Sequence, residues 1–205
     1  MKVLVALEFS GIVRDAFIAR GHDAISCDLL PSEKPGPHYQ GDIRDIIGDG
    51  FDLMIAHPPC THLAVSGARY FYRKEREQAE ALDFVRFLMG VDIPRVCIEN
   101  PVSVISTRIR KPDQIIQPWM FGHGEAKATC LWLKNLPPLK PTSIVEPDFI
   151  CGCGHRFPAA LVKYGCPNCA GDNVAVKRVF ANQTPSGQNR IGPSPTAGAA
   201  SLTAL

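Results

Sequence analysis

The sequence lacks several features that would assign it to a broad class of proteins. No apolar run reaches the length of about 20 residues that crosses a membrane. The first residues, Met1–Leu7, resemble a strand more than a secretory leader, so we expect a cytoplasmic protein with no membrane partner. No G-x-G-x-x-G motif is present, which argues against a cofactor that is bound through its pyrophosphate.

The chain also has little net charge. Its 22 lysines and arginines nearly balance 20 aspartates and glutamates, for a net charge of +2. A basic surface for nucleic acid would therefore have to be local. Cysteine, in contrast, is abundant, with eight in 205 residues. In a reducing compartment these cysteines indicate metal binding or catalysis rather than a disulfide framework.

Apolar, strand-like runs alternate with amphipathic helical patterns along most of the chain. This rhythm predicts an α/β fold with a doubly wound, mostly parallel sheet, because wholly apolar strands suit a sheet covered on both faces. The predicted strands are Lys2–Leu7, Asp23–Cys27, Phe51–His57, Arg95–Ile98 and Ala128–Leu133, and the predicted helices are Ile12–Arg20 and Arg73–Met89.

Four acidic or reactive side chains follow these strands, namely Glu8, Asp28, Cys60 and Glu99. Carboxyl ends of parallel strands share one edge of the sheet, where ligands bind in such folds, so we expect the four side chains along one rim. Asp28 is placed to hold ribose hydroxyls. Pro58 stops the third strand and, with the next proline, presents Cys60 on a stiff loop.

Four motifs, taken in order, resemble the carbon-5 cytosine-specific DNA methyltransferase family, in particular its short phage- and prophage-type members. They are Glu8-Phe9-Ser10-Gly11, Gly41-Asp42-Ile43, Pro58-Pro59-Cys60 and Glu99-Asn100-Pro101. The resemblance implies a Rossmann-like fold that binds S-adenosylmethionine. It also implies a cytosine that is flipped out of a DNA duplex as the substrate.

The resemblance also assigns roles to individual residues. Cys60 becomes the nucleophile that adds to carbon 6 of cytosine, and Glu99 bonds ring nitrogen 3 and the amino group. A paired-arginine motif is replaced here by Glu125–Thr129, where Lys127 is the candidate for holding the base. The expected cofactor contacts are Glu8, Phe9, Ser10, Gly11, Asp28, Asp42, Ile43 and Pro58. His57, His62 and Arg69 are within sequence reach of Cys60 and could favour its thiolate.

A second constellation consists of two close cysteine pairs, Cys151 with Cys153 and Cys166 with Cys169. Pairs of this spacing suit a tetrahedral zinc ion, and four thiolates would fill its coordination shell, so we expect a structural site. His155 could replace one cysteine. Basic residues of the same segment, such as Arg156, could let a zinc ribbon contact DNA.

These patterns predict a methyltransferase core over residues 1–142 and a zinc-ribbon-like insertion over 143–180. A return segment over 181–192 and a disordered tail over 193–205 would follow. Three functions stay open. The chain could methylate cytosine in DNA or methylate free pyrimidine nucleotides such as dCMP. It could also be a catalytically impaired DNA-binding relative, which the altered segment Glu125–Thr129 would favour.

Overall fold

The computed structural model describes residues 1–151, 153, 155–158, 168, 169, 177 and 178. These residues form two compact units. The first unit contains residues 1–115 and 129–139, and the second contains residues 116–128 and the described residues from 140 onward. The predicted segments 181–192 and 193–205 lie outside the described residues.

The first unit is built on a seven-stranded sheet of order β3-β2-β1-β4-β5-β7-β6. The strands are β1 (Lys2–Ala6), β2 (Asp23–Asp28), β3 (His38–Gln40), β4 (Leu53–Ala56), β5 (Arg95–Pro101), β6 (Gln114–Ile116) and β7 (Thr129–Lys134). The α-helices are α1 (Ile12–Ile18), α2 (Glu75–Gly90) and α3 (Ile105–Arg108), and the 3-10 helices of this unit are Ile43–Asp45 and Val65–Arg73. A further 3-10 helix, Pro118–Met120, belongs to the second unit. Strands β1 to β5 pair in parallel and β7 runs antiparallel to β5. The predicted α/β class with a mostly parallel sheet is confirmed.

The central strands are buried on both faces. Val3–Ala6 and Leu53–Ala56 have no exposed surface. Successive side chains of a strand point to opposite faces, so complete burial requires cover on both sides. Helix α2 contributes Leu82, Val85 and Leu88 to the core, and their spacing of three residues places them on one helix face.

The structure adds strands that the sequence patterns did not predict. β3 and β6 each contain three residues, too few for an apolar period to be recognisable. β5 is also longer than predicted, because its pairing with β7 continues as far as Pro101 opposite Thr129. Glu99 therefore lies inside a paired strand, and the expectation that it follows the strand is corrected.

The second unit contains a small antiparallel sheet of order β10-β8-β9. Its strands are β8 (Asp148–Ile150), β9 (Arg156–Pro158) and β10 (Lys177–Arg178). Across both units, no helix in the described part of the chain is long and apolar enough to span a membrane.

Candidate functional site

Four adjacent parallel strands are paired in register near their carboxyl ends, and β5 continues beyond this level to Pro101. Ala6 pairs with both Cys27 and Ala56, and Ala56 pairs with Ile98. The next residue on each strand therefore lies at one rim of the sheet. These rim residues are Leu7, Asp28, His57 and Glu99. Of the four side chains that the sequence analysis placed at this rim, Asp28 and Glu99 occupy these positions, whereas Glu8 and Cys60 lie one and three residues farther along the chain.

The turn after β1 is organised around the buried carboxylate of Glu8. Its Oε1 atom accepts hydrogen bonds from the Ser10 hydroxyl and from the backbone N–H of Ile12 at 3.0 Å. Its Oε2 atom is buried and has no hydrogen-bond partner in the described residues. Gly11 has a φ of +71°, which favours glycine, while Phe9 is only 8% exposed. A buried acceptor oxygen beside a glycine turn can receive a donor group of a ligand.

A buried arginine reinforces this turn, and sequence reasoning did not single it out. Arg14 on α1 has no exposed surface, and its guanidinium donates to the Ser26 hydroxyl at 3.2 Å and to the Pro35 carbonyl at 3.0 Å. A Cβ atom at Gly11 would lie 2.6 Å from Nη2 of Arg14, and one at Gly36 would lie 2.7 Å from the same atom. Arg14 therefore joins α1 to the loop that follows Asp28.

Asp28 and Asp42 lie near each other in the backbone network after β2. The carbonyl of Asp28 accepts from the N–H of Gly41 at 3.0 Å, and its Oδ1 accepts from Leu30 at 3.0 Å. Asp42 caps the 3-10 helix Ile43–Asp45. The N–H of Arg44 donates to Asp42 at 2.9 Å, which lowers the pKa of this carboxyl. Asp42 thus has a capping role besides the cofactor contact that was predicted for it.

Hydrogen bonds from neighbouring residues stabilise the Pro58-Pro59-Cys60 loop. The side chain of Asn100 donates to the Pro58 carbonyl at 2.8 Å. The Cys60 carbonyl accepts from the N–H groups of Leu63 and Ala64 at 3.0 and 2.8 Å. Pro58 is buried, whereas Cys60 is partly exposed. The loop thus presents a thiol at the surface on a constrained backbone.

Backbone hydrogen bonds connect the segment after Cys60 to the segment after β5. Val65 donates to Val102 at 3.1 Å, and Val104 donates to Leu63 at 3.0 Å. Both segments are therefore held side by side, although about forty residues separate them in the chain.

His57 pairs with Glu99 rather than acting only as a neighbour of Cys60. The Nδ1 atom of His57 lies 3.3 Å from Oε2 of Glu99, and both side chains are 17% exposed. Three other polar atoms around the Cys60 loop are buried without a hydrogen-bond partner in the described residues: His62 Nδ1, Asn100 Oδ1 and Ser103 Oγ. Buried polar groups normally have a partner, so these atoms could receive polar groups of a ligand or ordered water. The sequence analysis named both His57 and Glu99, but no sequence pattern indicated that their side chains would pair.

Lys127 belongs to the second unit, whereas Cys60 and Glu99 belong to the first. The backbone N–H of Lys127 donates to Oε1 of Gln117 at 2.9 Å. Its predicted role in holding the base stays a prediction.

In the second unit, the sulfur atoms of Cys151, Cys153 and Cys169 all lie within 4.8 Å of one another. The Sγ atoms of Cys151 and Cys169 are 3.6 Å apart. Two thiolates on a tetrahedral zinc ion are about 3.8 Å apart, given Zn–S bonds of about 2.3 Å. This cluster could hold a metal ion and is compatible with zinc. The predicted fourth ligand, Cys166, lies outside the described residues.

The charge of Arg156 is compensated by acidic neighbours. Its Nε atom donates to Asp148 at 2.6 Å, and its Nη1 atom lies 3.3 Å from Oε1 of Glu125. Arg156 had been expected to offer a basic surface to DNA. Two carboxylates instead form ion pairs with its guanidinium, so Arg156 gives little support for a DNA contact.

The remaining described cysteines of the first unit are core residues, as the sequence analysis expected. Cys27, Cys97 and Cys130 are at most 1% exposed. Burial raises the pKa of the Cys27 thiol to about 11, with further contributions from Asp28, Asp42 and Asp45. Burial also raises the pKa of Cys97 and Cys130.

We expect iodoacetamide to distinguish these thiols from Cys60 at about pH 8. A pKa of about 11 leaves only about one Cys27 thiol in a thousand ionised at that pH, and burial blocks access to it. Peptide mass spectrometry of the native protein should therefore show Cys60 alkylated first and the three core cysteines protected. Denatured protein, as the control, should be alkylated at all of them. Equal native labelling of Cys27 and Cys60 would contradict this prediction.

Comparison with known proteins assigns no function to these residues. No protein-family model and no curated protein matches this chain. The assignment of a function therefore rests on the residues and geometry described above.

Proposed function

We propose that this chain transfers a methyl group from S-adenosylmethionine to carbon 5 of cytosine in DNA. The observation that carries the proposal is the juxtaposition of the Cys60 loop and the Glu99 strand. Backbone hydrogen bonds hold the segments that flank both residues side by side at one rim of the sheet. Covalent attack on a pyrimidine ring requires a nucleophilic thiol, and a carboxyl group on the neighbouring segment could hydrogen-bond the same ring.

The neighbouring rim supports the proposed cofactor. S-adenosylmethionine carries hydroxyl and ammonium donors, and the buried Oε2 atom of Glu8 requires a donor. Gly11 lets the backbone approach a ligand closely, and Asp28 ends the adjacent strand β2, where a ribose can be held. The strand order with an antiparallel β7 is compatible with the Rossmann-like methyltransferase fold that the resemblance implies. When bound, the cofactor would supply an electrophilic methyl group on its sulfonium sulfur.

The residues of the chain would activate the ring. Carbon 5 of cytosine is a poor nucleophile until the Cys60 thiolate adds at carbon 6, which turns the ring into an enamine. Glu99 would hydrogen-bond ring nitrogen 3 and the amino group as electron density arrives on the ring. After methyl transfer, a base takes the proton from carbon 5, and the electron pair of that C–H bond expels the Cys60 thiolate and restores the aromatic ring.

The segment that follows Cys60 favours DNA over a free nucleotide. Residues 61–74 contain no aspartate or glutamate and include Arg69, Arg73 and Lys74. Tyr70 and Tyr72 are 45% and 66% exposed. The guanidinium of Arg69 lies 4.6 Å from the ring centre of Tyr70, and that of Arg73 lies 5.2 Å from Tyr72. Exposed aromatic rings with arginines beside them suit stacking on bases and contact with phosphates.

We propose a structural zinc ion for the cysteine cluster of the second unit. Cys151, Cys153 and Cys169 would supply three thiolates, and Cys166 would complete the set. A small three-stranded sheet has little core of its own, so a metal ion would stabilise the fold directly.

Replacement of the nucleophile tests the proposed reaction. Purified protein is incubated with methyl-labelled S-adenosylmethionine and either duplex DNA or dCMP. We expect label in DNA at carbon 5 of cytosine, and Cys60→Ser should lower the rate by about 10³-fold or more because a hydroxyl is far less nucleophilic than a thiolate. The exposed Ser143→Ala variant, outside residues 61–74, serves as the control.

The same experiment decides between the three functions. Label in dCMP alone would favour the nucleotide enzyme, and binding of DNA without transfer would favour a catalytically impaired relative. DNA that contains 5-fluorocytosine gives a second readout, because a fluorine at carbon 5 cannot leave as a proton does. The wild-type protein should then form a covalent adduct at Cys60, which is detectable by mass spectrometry. Label transfer that Cys60→Ser leaves intact would contradict the mechanism.

The aromatic segment predicts a specific loss of DNA affinity. A variant with Tyr70→Ala and Tyr72→Ala should bind a fluorescent oligonucleotide about 10-fold or more weakly, since each base stacked on an aromatic ring contributes about 1–3 kcal/mol. The matched variant with phenylalanine at both positions keeps the rings and should keep the affinity. Fluorescence anisotropy measures both without the cofactor. Equal affinity of the alanine variant and the wild type would remove the argument for this surface.

Metal analysis tests the zinc proposal. We expect about one zinc ion per chain, and Cys153→Ser should lose most of it, because three thiolates bind the ion more weakly than four. Cys60→Ser is the matched control and should retain the metal. Elemental analysis of dialysed protein provides the measurement. Unchanged zinc in Cys153→Ser, or no zinc in the wild type, would contradict the assignment.

A further inference from the structure

The backbone around His57 restricts where its side chain can lie. The N–H of His57 donates to the carbonyl of Ala6 at 3.0 Å, so the residue continues the pairing of β4 with β1. The following residue, Pro58, confines His57 to extended backbone conformations. The Pro58 carbonyl is itself bound by Asn100. His57 therefore projects from a fixed point at the rim.

Glu99 is fixed as tightly from the other side. It lies in β5, whose preceding residue Ile98 pairs with Ala56 of β4, and it is itself paired with Leu131 of β7. His57 and Glu99 thus occupy corresponding positions on adjacent parallel strands. The separation of 3.3 Å between Nδ1 and Oε2 follows from this register. Hydrogen bonds of catalytic groups are often long before substrate binds and shorten in the complex.

The burial of the imidazole indicates which of its nitrogens carries the proton. Nε2 of His57 is buried and has no hydrogen-bond partner in the described residues. A proton on this atom would leave a buried N–H donor unsatisfied, which costs more than an unused lone pair. The geometry therefore favours the neutral tautomer with the proton on Nδ1, which donates to Oε2 of Glu99.

We infer that His57 is a positioning residue that sets the orientation of the Glu99 carboxyl group toward the pyrimidine ring. The inference rests on the proposed function of Glu99. The last torsion of a glutamate side chain has a broad, two-fold preference. A donor on Oε2 selects one orientation before the base arrives and so reduces the reorganisation that the reaction requires.

Three replacements at one position test this inference. In His57→Asn, the amide nitrogen lies near the former place of Nδ1 and can still donate to Glu99. In His57→Gln, the amide reaches instead toward the former place of Nε2, and His57→Ala removes both nitrogens. We expect His57→Ala and His57→Gln to lower kcat by about 10- to 100-fold, as loss of a supporting hydrogen bond does at other sites. His57→Asn should retain most of the activity.

Two further measurements separate positioning from a general loss of structure. KM for DNA should change little in all three variants, and thermal unfolding should show that each is folded. The control His22→Asn, in the turn between α1 and β2, should behave as the wild type. A fully active His57→Ala would overturn the inference, and so would an Asn variant as impaired as the Ala variant.

A spectroscopic readout makes the inference independent of methyl transfer. Nitrogen-15 NMR at alkaline pH distinguishes the two neutral tautomers of the imidazole. We expect the wild-type ring to carry its proton on Nδ1. A wild-type proton on Nε2 would overturn the inference. Absence of methyl transfer together with the Nδ1 proton would instead reject only the proposed function.

Discussion

Two loops that follow β4 and β5 stabilise each other, and the candidate site depends on their contact. Pro58 and Pro59 have no N–H groups, so the loop that carries Cys60 cannot make the backbone hydrogen bonds of an ordinary turn at its start. Asn100 bonds the Pro58 carbonyl, and residues 102–104 bond residues 63–65. The stiffness of the loop therefore comes partly from proline and partly from the neighbouring strand. The same contacts place Cys60 in a fixed relation to the strand of Glu99.

The Glu8–Gly11 end of the rim depends on a buried charge. The guanidinium of Arg14 binds backbone carbonyls of the proline-rich loop after β2 and the carboxylate of Asp15. A buried cation without these partners would cost several kcal/mol, so the loop must remain in contact with α1. Gly11 is restricted for two reasons, its positive φ and the space that Arg14 occupies. Glycine at position 11 therefore leaves space both for Arg14 and for the close approach of a ligand to the backbone.

Several parts of the fold were predictable from local patterns. The strands β1, β2 and β4 and the helices α1 and α2 were found to within a few residues, because apolar runs and helical periods are local properties. Cys27, Cys97 and Cys130 were correctly expected in the core for the same reason. The direction of β7 was not predictable, since antiparallel and parallel strands of wholly buried sheets have the same apolar composition. The pairing of β7 in turn explains why Glu99 lies within β5.

The sequence by itself determined which chemical groups are present: a thiol after two prolines, a carboxylate three residues before the glycine of a turn, and close cysteine pairs. Only the tertiary structure decided the partners of these groups. His57 meets Glu99 because β4 and β5 are adjacent and in register, and Cys151 approaches Cys169 across 18 residues of sequence. Such contacts depend on strand order and register, which result from the packing of the whole sheet and leave no local pattern in the chain.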